Sequence, residues 1–159
     1  VVVFNGLILV KMAHYALITE ENIVALVITG VDESEQTPEG FDSWEDWYAN
    51  HKKYPKCKRA SYNTRENKYY IVDEFGEYIL GDDQTKAFRG NYPGSGDIYD
   101  EENDVFYPLQ PYESWILDEN IWNWVAPISK PEGYENTDLE WNEGNYQEDN
   151  TQGWIIPSE

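Results

Sequence analysis

Three times between residues 97 and 157 a large apolar residue is followed by an acidic turn, a returning aromatic and a proline. The first copy runs Tyr99, Asp100, Glu101, Phe106, Pro108. The second runs Leu117, Asp118, Glu119, Trp124, Pro127, and the third Trp141, Asn142, Glu143, Trp154, Pro157. The first two copies keep a seven-residue span between their anchors, and the third carries six more residues in its turn. Asp, Glu and Asn bond their own backbone in turns, and proline cannot donate to a strand ladder. Large side chains at the two ends of a turn face each other across a hairpin. The pattern therefore predicts three tandem hairpins, with Tyr99, Phe106, Leu117, Trp124 and Trp154 as structural anchors. An isolated two-stranded ribbon is marginal in water, so each must lean on a neighbour or a partner. Tyr107, Tyr112, Trp115, Trp122 and Trp141 are the candidate interaction residues, with flat amphipathic rings of the kind that anchor interfaces.

The first part of the chain has a different texture. Residues 13–31 read as a hairpin, with two β-rich runs on either side of Thr19–Asn22. Residues 41–51 carry the one good helix signal. Asp42 or Ser43 caps it, Glu45 and Asp46 suit its N-terminal dipole, and Trp44, Trp47, Tyr48 and His51 share one face. Residues 58–64 and 68–72 read as a second hairpin, followed by a strand at 77–80 and heavily punctuated turns at 81–84 and 93–97. The expected fold is mainly β with a minor helical part: an antiparallel sheet with one short helix over 12–96, then a hairpin-repeat arm over 97–159. Residues 1–11 read as an extension ahead of a start at Met12, with a short docking strand or export-signal remnant as the alternative. They are too short to span a bilayer.

Charge removes whole classes of partner. The formal net charge is −20, with 31 acidic residues against 11 Lys and Arg. A polyanion releases no counterions from nucleic acid, and anionic membranes repel it as well. One cysteine, Cys57, excludes an internal disulfide framework and reads as a small buried thiol. Two distant histidines, His14 and His51, make no zinc-ligand spacing. Residues 93–97 lack the flanks of a nucleophile elbow or a phosphate loop and are read as a turn. Paired carboxylates recur, but with so many acids some pair always meets glycosidase spacing, so no catalytic residue and no enzyme activity are assigned. No cofactor is expected. The acidic turns at 82–83 and 100–104 offer oxygen ligands for calcium, yet neither matches the twelve-residue calcium loop.

The runs at 12–28, 57–64 and 88–127 together resemble small virion-associated proteins of marine bacteriophages. The resemblance spans residues 12–131, with Lys58–Thr64, Phe88–Tyr92, Tyr99–Glu102 and Ser114–Trp115 its most specific pieces. It lapses over residues 65–86, and Pro93 and Ser95 depart from the pattern. It implies a structural component of the virion, as a head decoration or a tail part, binding other virion proteins and forming a homo-oligomer. It carries over no site residue. The alternative is a carbohydrate-binding module of a tail fibre that reads a host surface glycan with exposed Trp and Tyr. On this reading Trp124 packs, Trp115 and Trp122 face a partner, and deleting 97–159 leaves a soluble fragment that no longer joins the particle.

Overall fold

The computed structural model describes residues 2–4, 7–9, 12–134 and 138–157. The chain is mainly β, built of short strands in small antiparallel sheets with two α-helices among the described residues. It divides into two compact units. One holds residues 1–109 and 119–122, and the other holds 110–118 and 123–159.

The first unit is organised around one strand. β3 (Met12–Ile18) lies between β4 (Val24–Val31) and β5 (Lys56–Ala60) in a three-stranded sheet. Alternate residues of a strand point to opposite faces, and here both faces are buried. Ala13, Tyr15 and Leu17 join Cys57 and helix residue Tyr48 in one cluster. Ala16 and Ile18 join Val24, Ala60, Tyr99 and Phe106 in another. The helix α1 (Trp44–Lys52) is capped by Ser43, whose hydroxyl oxygen accepts from Asp46 N at 3.0 Å. It ends at Lys53, whose backbone is left-handed at φ 60°. Tyr48 meets the Tyr15 ring at 4.7 Å, and its hydroxyl accepts from Val31 N at 2.9 Å.

β5 corrects one expected pairing. Residues 58–60 pair with β3, not with 68–72, and the second hairpin begins only at Thr64. There β6 (Thr64–Arg65) turns through Glu66 and Asn67, at φ 50° and 59°, into β7 (Lys68–Val72). Two consecutive positive φ values are the signature of the type I′ turn that suits strand twist. β8 (Tyr78–Leu80) completes this second sheet. At the start of the chain β1 (Val2–Phe4) pairs with β2 (Leu7–Leu9). The remainder of the expected extension, residues 1, 5, 6, 10 and 11, lies outside the described residues.

All three tandem hairpins form, and the anchors oppose each other directly. β9 (Ile98–Asp100) and β10 (Val105–Tyr107) place Tyr99 across from Phe106. β11 (Ile116–Asp118) and β12 (Asn123–Val125) place Leu117 across from Trp124. β13 (Glu140–Trp141) and β14 (Trp154–Ile155) pair Trp141 with Trp154. The first two turns share a backbone: the last turn residue is left-handed in each, Asp104 at φ 53° and Trp122 at φ 51°. The longer third turn folds into α2 (Glu143–Glu148), with Asn142 as its cap.

The first hairpin is not part of an arm. Tyr99, Val105 and Phe106 are buried, and Tyr99 and Phe106 close one face of β3. An isolated bridge between Ile23 and Ile98 ties β9 to the sheet. The boundary expected at residue 97 therefore falls after 109 instead, because two large rings found their burial in the preceding sheet.

A polar network surrounds this packing. The Arg89 guanidinium donates to Glu45, to the Arg59 carbonyl at 2.8 Å and to Asp104 at 2.8 Å. Asp104 also accepts from the Tyr99 hydroxyl at 2.6 Å, and Glu45 from Arg59 N at 2.7 Å. Helix α1, strand β5 and the first hairpin turn are thus joined through one side chain. A chain ending at residue 96 would expose the face of β3 that Tyr99 and Phe106 cover. It is expected to lose cooperative urea unfolding rather than persist as a soluble fragment. In the full chain Phe106→Ala is expected to cost about 3–5 kcal/mol, measured by the same titration.

Candidate functional site

The aromatic residues expected to face a partner are mostly occupied within their own unit. Trp122 is only 9% exposed. Its indole lies against Gly90, which holds φ +69° and where an added Cβ would meet Trp122 atoms at 3.3 Å. Tyr107 stacks on Trp122 at 6.1 Å and 19°. The Trp122 carbonyl accepts from the Asn91 side chain, and that of Asn120, in the same turn, from the Asn67 side chain. A bulky residue at positive φ is an outlier tolerated only where packing demands it. The assignment of Trp122 as a contact residue is overturned: its turn seats it in the first unit.

The second unit buries its indoles in the same manner. Trp141 is buried, flanked by Trp154 at 5.2 Å, Tyr146 at 5.1 Å and Trp115 at 6.1 Å. Gly153 leaves no room for a Cβ against the Trp141 ring. Trp115 is half-buried, packs on Trp154 and Tyr112, and has its indole N–H buried without an acceptor among the described residues. Trp141 is thus a core residue, and Trp115 and Tyr112 belong to the same aromatic cluster. Of the anchors, Leu117, Trp124 and Trp154 are half-buried, and Trp154 Nε1 donates to the Ile128 carbonyl at 3.1 Å.

Glu143 holds this cluster in place. Its carboxylate accepts from Ser114 N at 3.0 Å, Ser114 Oγ at 2.7 Å, Trp141 Nε1 at 2.8 Å and Gln147 Nε2 at 2.8 Å. Donation from Ser114, then Trp141, lowers its pKa from 4.5 to about 2. Sequence reading gave Glu143 only a turn role, because its donors lie up to 29 residues away.

Several other acids behave as turn formers. Asp100 accepts from the backbone of Glu102 and Asn103, Asp73 from Phe75 and Glu77, and Asp83 from Thr85. Among the described residues no group of three His, Cys, Asp or Glu side chains could hold a metal ion. Cys57 is buried, and desolvation, with Glu45 next, pushes its thiol up to about 12. It stays protonated and unreactive. His51 stacks on Trp47 at 4.5 Å, while His14 lies against Tyr62 and Tyr92. No helix among the described residues is long and apolar enough to cross a membrane.

What the first unit does expose is the β7–β8 hairpin. Ile71, Val72, Phe75, Tyr78, Ile79 and Leu80 are all exposed, and Phe75 at the tip reaches 81%. Ile71 opposes Ile79 and Val72 opposes Tyr78, so the apolar residues form cross-strand pairs on both faces. In sequence these runs look like ordinary core strands, and only the tertiary structure shows them uncovered. No protein-family model, curated protein or solved structure matches the chain.

Two outcomes test this assignment of roles. Trp122→Ala is expected to destabilise the first unit by about 3–5 kcal/mol, read from denaturant unfolding. It would therefore not serve as a clean probe of ligand contact. Glu143 has a folded pKa below its unfolded one, so its stabilisation is complete above 4.5 and is lost as pH falls through about 2. Tryptophan fluorescence across that window should show a shallower acid transition for Glu143→Gln than for the parent chain.

Proposed function

We propose that the chain is a non-catalytic structural subunit of a phage particle, attached to another particle protein through the β7–β8 hairpin. The observation that carries this reading is the uncovered apolar surface of Ile71, Val72, Phe75, Ile79 and Leu80. Burying one such side chain contributes roughly 1.5–3 kcal/mol, so a few suffice to offset the cost of association. Apolar residues exposed together on both faces and at the tip of one hairpin exceed the singly scattered apolar residues of ordinary surface. β8 is also the last strand of its sheet, where a partner strand can be added.

The particle enters through the resemblance over residues 12–131. That resemblance lapses over 65–86, the stretch containing the hairpin, as suits an element shaped to a particular partner. Attachment shifts away from Trp122 and Trp141, whose rings are spent on their own units.

The test combines Ile71→Thr, Phe75→Ser and Ile79→Thr, which remove apolar surface while keeping strand-compatible residues in the ladder. The variant is expected to unfold like the parent in urea, yet to be missing from purified particles. A photo-crosslinker at position 75 of the parent should capture a particle protein. Recovery of the triple variant at parental occupancy would sink this reading.

A further inference from the structure

A second feature of the first unit lies apart from the hairpin's apolar tip. The turn Ser61–Thr64, closed by Thr64 N donating to the Ser61 carbonyl at 3.0 Å, holds Tyr62 at its crest with 56% of its surface exposed. The ring is fixed on several sides. Tyr92 meets it edge-on at 5.2 Å, His14 lies at 5.8 Å, and the Tyr78 hydroxyl donates to the Tyr62 hydroxyl at 3.2 Å. Two concavities share Tyr62 and Asn63 in their walls, one of about 190 Å³ and one of about 720 Å³. The larger falls within the range of ligand clefts.

The chemistry of the walls selects the occupant. Ser61, Asn63 and Thr85 supply hydroxyl and amide groups beside the rings of Tyr62 and His14. The cations there are already engaged. Arg59 pairs with Glu33 and covers the Phe88 ring at 4.2 Å, while Lys86 pairs with Asp83 at 3.7 Å. Asp32 adds a carboxylate to the same wall. In the smaller concavity Arg65 lies over the Tyr70 ring at 5.9 Å, and the chain as a whole repels an anionic ligand at −20. Asn63 Nδ2 donates to the Tyr69 hydroxyl at 3.3 Å and Thr85 Oγ1 to Asp83, so both keep acceptor lone pairs that, with the Ser61 hydroxyl, a purely aliphatic ligand would leave unmet. What matches is a molecule with electropositive C–H faces to lie on an aromatic π-face and uncharged hydroxyls along its edges.

We propose that the Tyr62 groove is a binding site for an uncharged saccharide chain, with Tyr62 as the stacking platform and Ser61, Asn63 and Thr85 as hydrogen-bonding partners. Sugar recognition in this chain then belongs to a pinned tyrosine of the first unit and not to the indoles of residues 115–154. The site is independent of particle attachment, since the Ile71, Phe75 and Ile79 substitutions leave its walls intact.

The full chain is titrated with cellohexaose, maltohexaose and chitohexaose, followed by backbone amide NMR shifts. At least one is expected to give saturable binding, with shifts concentrated at Tyr62, Asn63 and Tyr92. Tyr62→Ala should weaken that binding about tenfold or more, while Tyr62→Phe, which keeps the ring, should retain most of it. Because Tyr62 is exposed, the alanine variant should keep the parental spectrum elsewhere, separating loss of ligand from loss of fold. No binding of any of the three at millimolar concentration, or binding unchanged by Tyr62→Ala, would overturn the assignment.

Discussion

Burial of β3 on both faces governs the first unit. A strand packed on one side needs a single covering layer, but this one needs two, and the chain supplies them from distant segments. Tyr48 of α1 covers one face and the Tyr99–Phe106 pair covers the other. Arg89 then joins the two covers through Glu45 and Asp104. Its side chain is only 15% exposed, so removing either carboxylate would leave a largely desolvated charge short of a partner. Breaking such a pair costs about 3–5 kcal/mol where burial is complete, and less here because Asp104 is half exposed to solvent.

The local features of the fold were legible in the sequence. Turns at 19–22 and 101–104 follow from Asn and Asp chemistry, the α1 cap from Ser43, and the anchor pairs from equal spacing around acidic turns. Pairing across distance was not. Nothing in Lys56–Ala60 shows that it completes the β3 sheet, and nothing in Tyr99 or Phe106 distinguishes an arm from a core layer. Burial of the indoles was equally hidden. Trp122 and Trp124 differ by two positions, yet what buries Trp122 is its packing against Gly90, Asn91 and Tyr107, which no local signal announces. The candidate surfaces suffered most, because an apolar strand reads as core until its missing cover is seen.

The charge pattern has a structural side as well. Nine of the eleven Lys and Arg lie between residues 52 and 89. Several reach acids from other segments: Lys56 to Glu101, Lys58 to Glu45, Arg59 to Glu33, and Arg89 to Glu45 and Asp104. The pairs of Lys56 and Arg59, whose carboxylates are exposed, contribute little individually. Their placement still favours one arrangement of segments, since the basic stretch finds its counter-charges on the helix and hairpin layers. Many of the other acids are committed to their own turns, which leaves the surface strongly negative.

That negative surface and the open hairpin act on copies of this chain in opposite directions. Repulsion between like-charged molecules reaches only about 10 Å at 0.1 M salt and about 3 Å at 1 M, whereas apolar attraction is not screened. Added electrolyte therefore weakens what keeps the tips of residues 71–80 apart while leaving intact what draws them together. Any self-association through these tips is therefore expected to grow with ionic strength, the opposite of an assembly held by ion pairs.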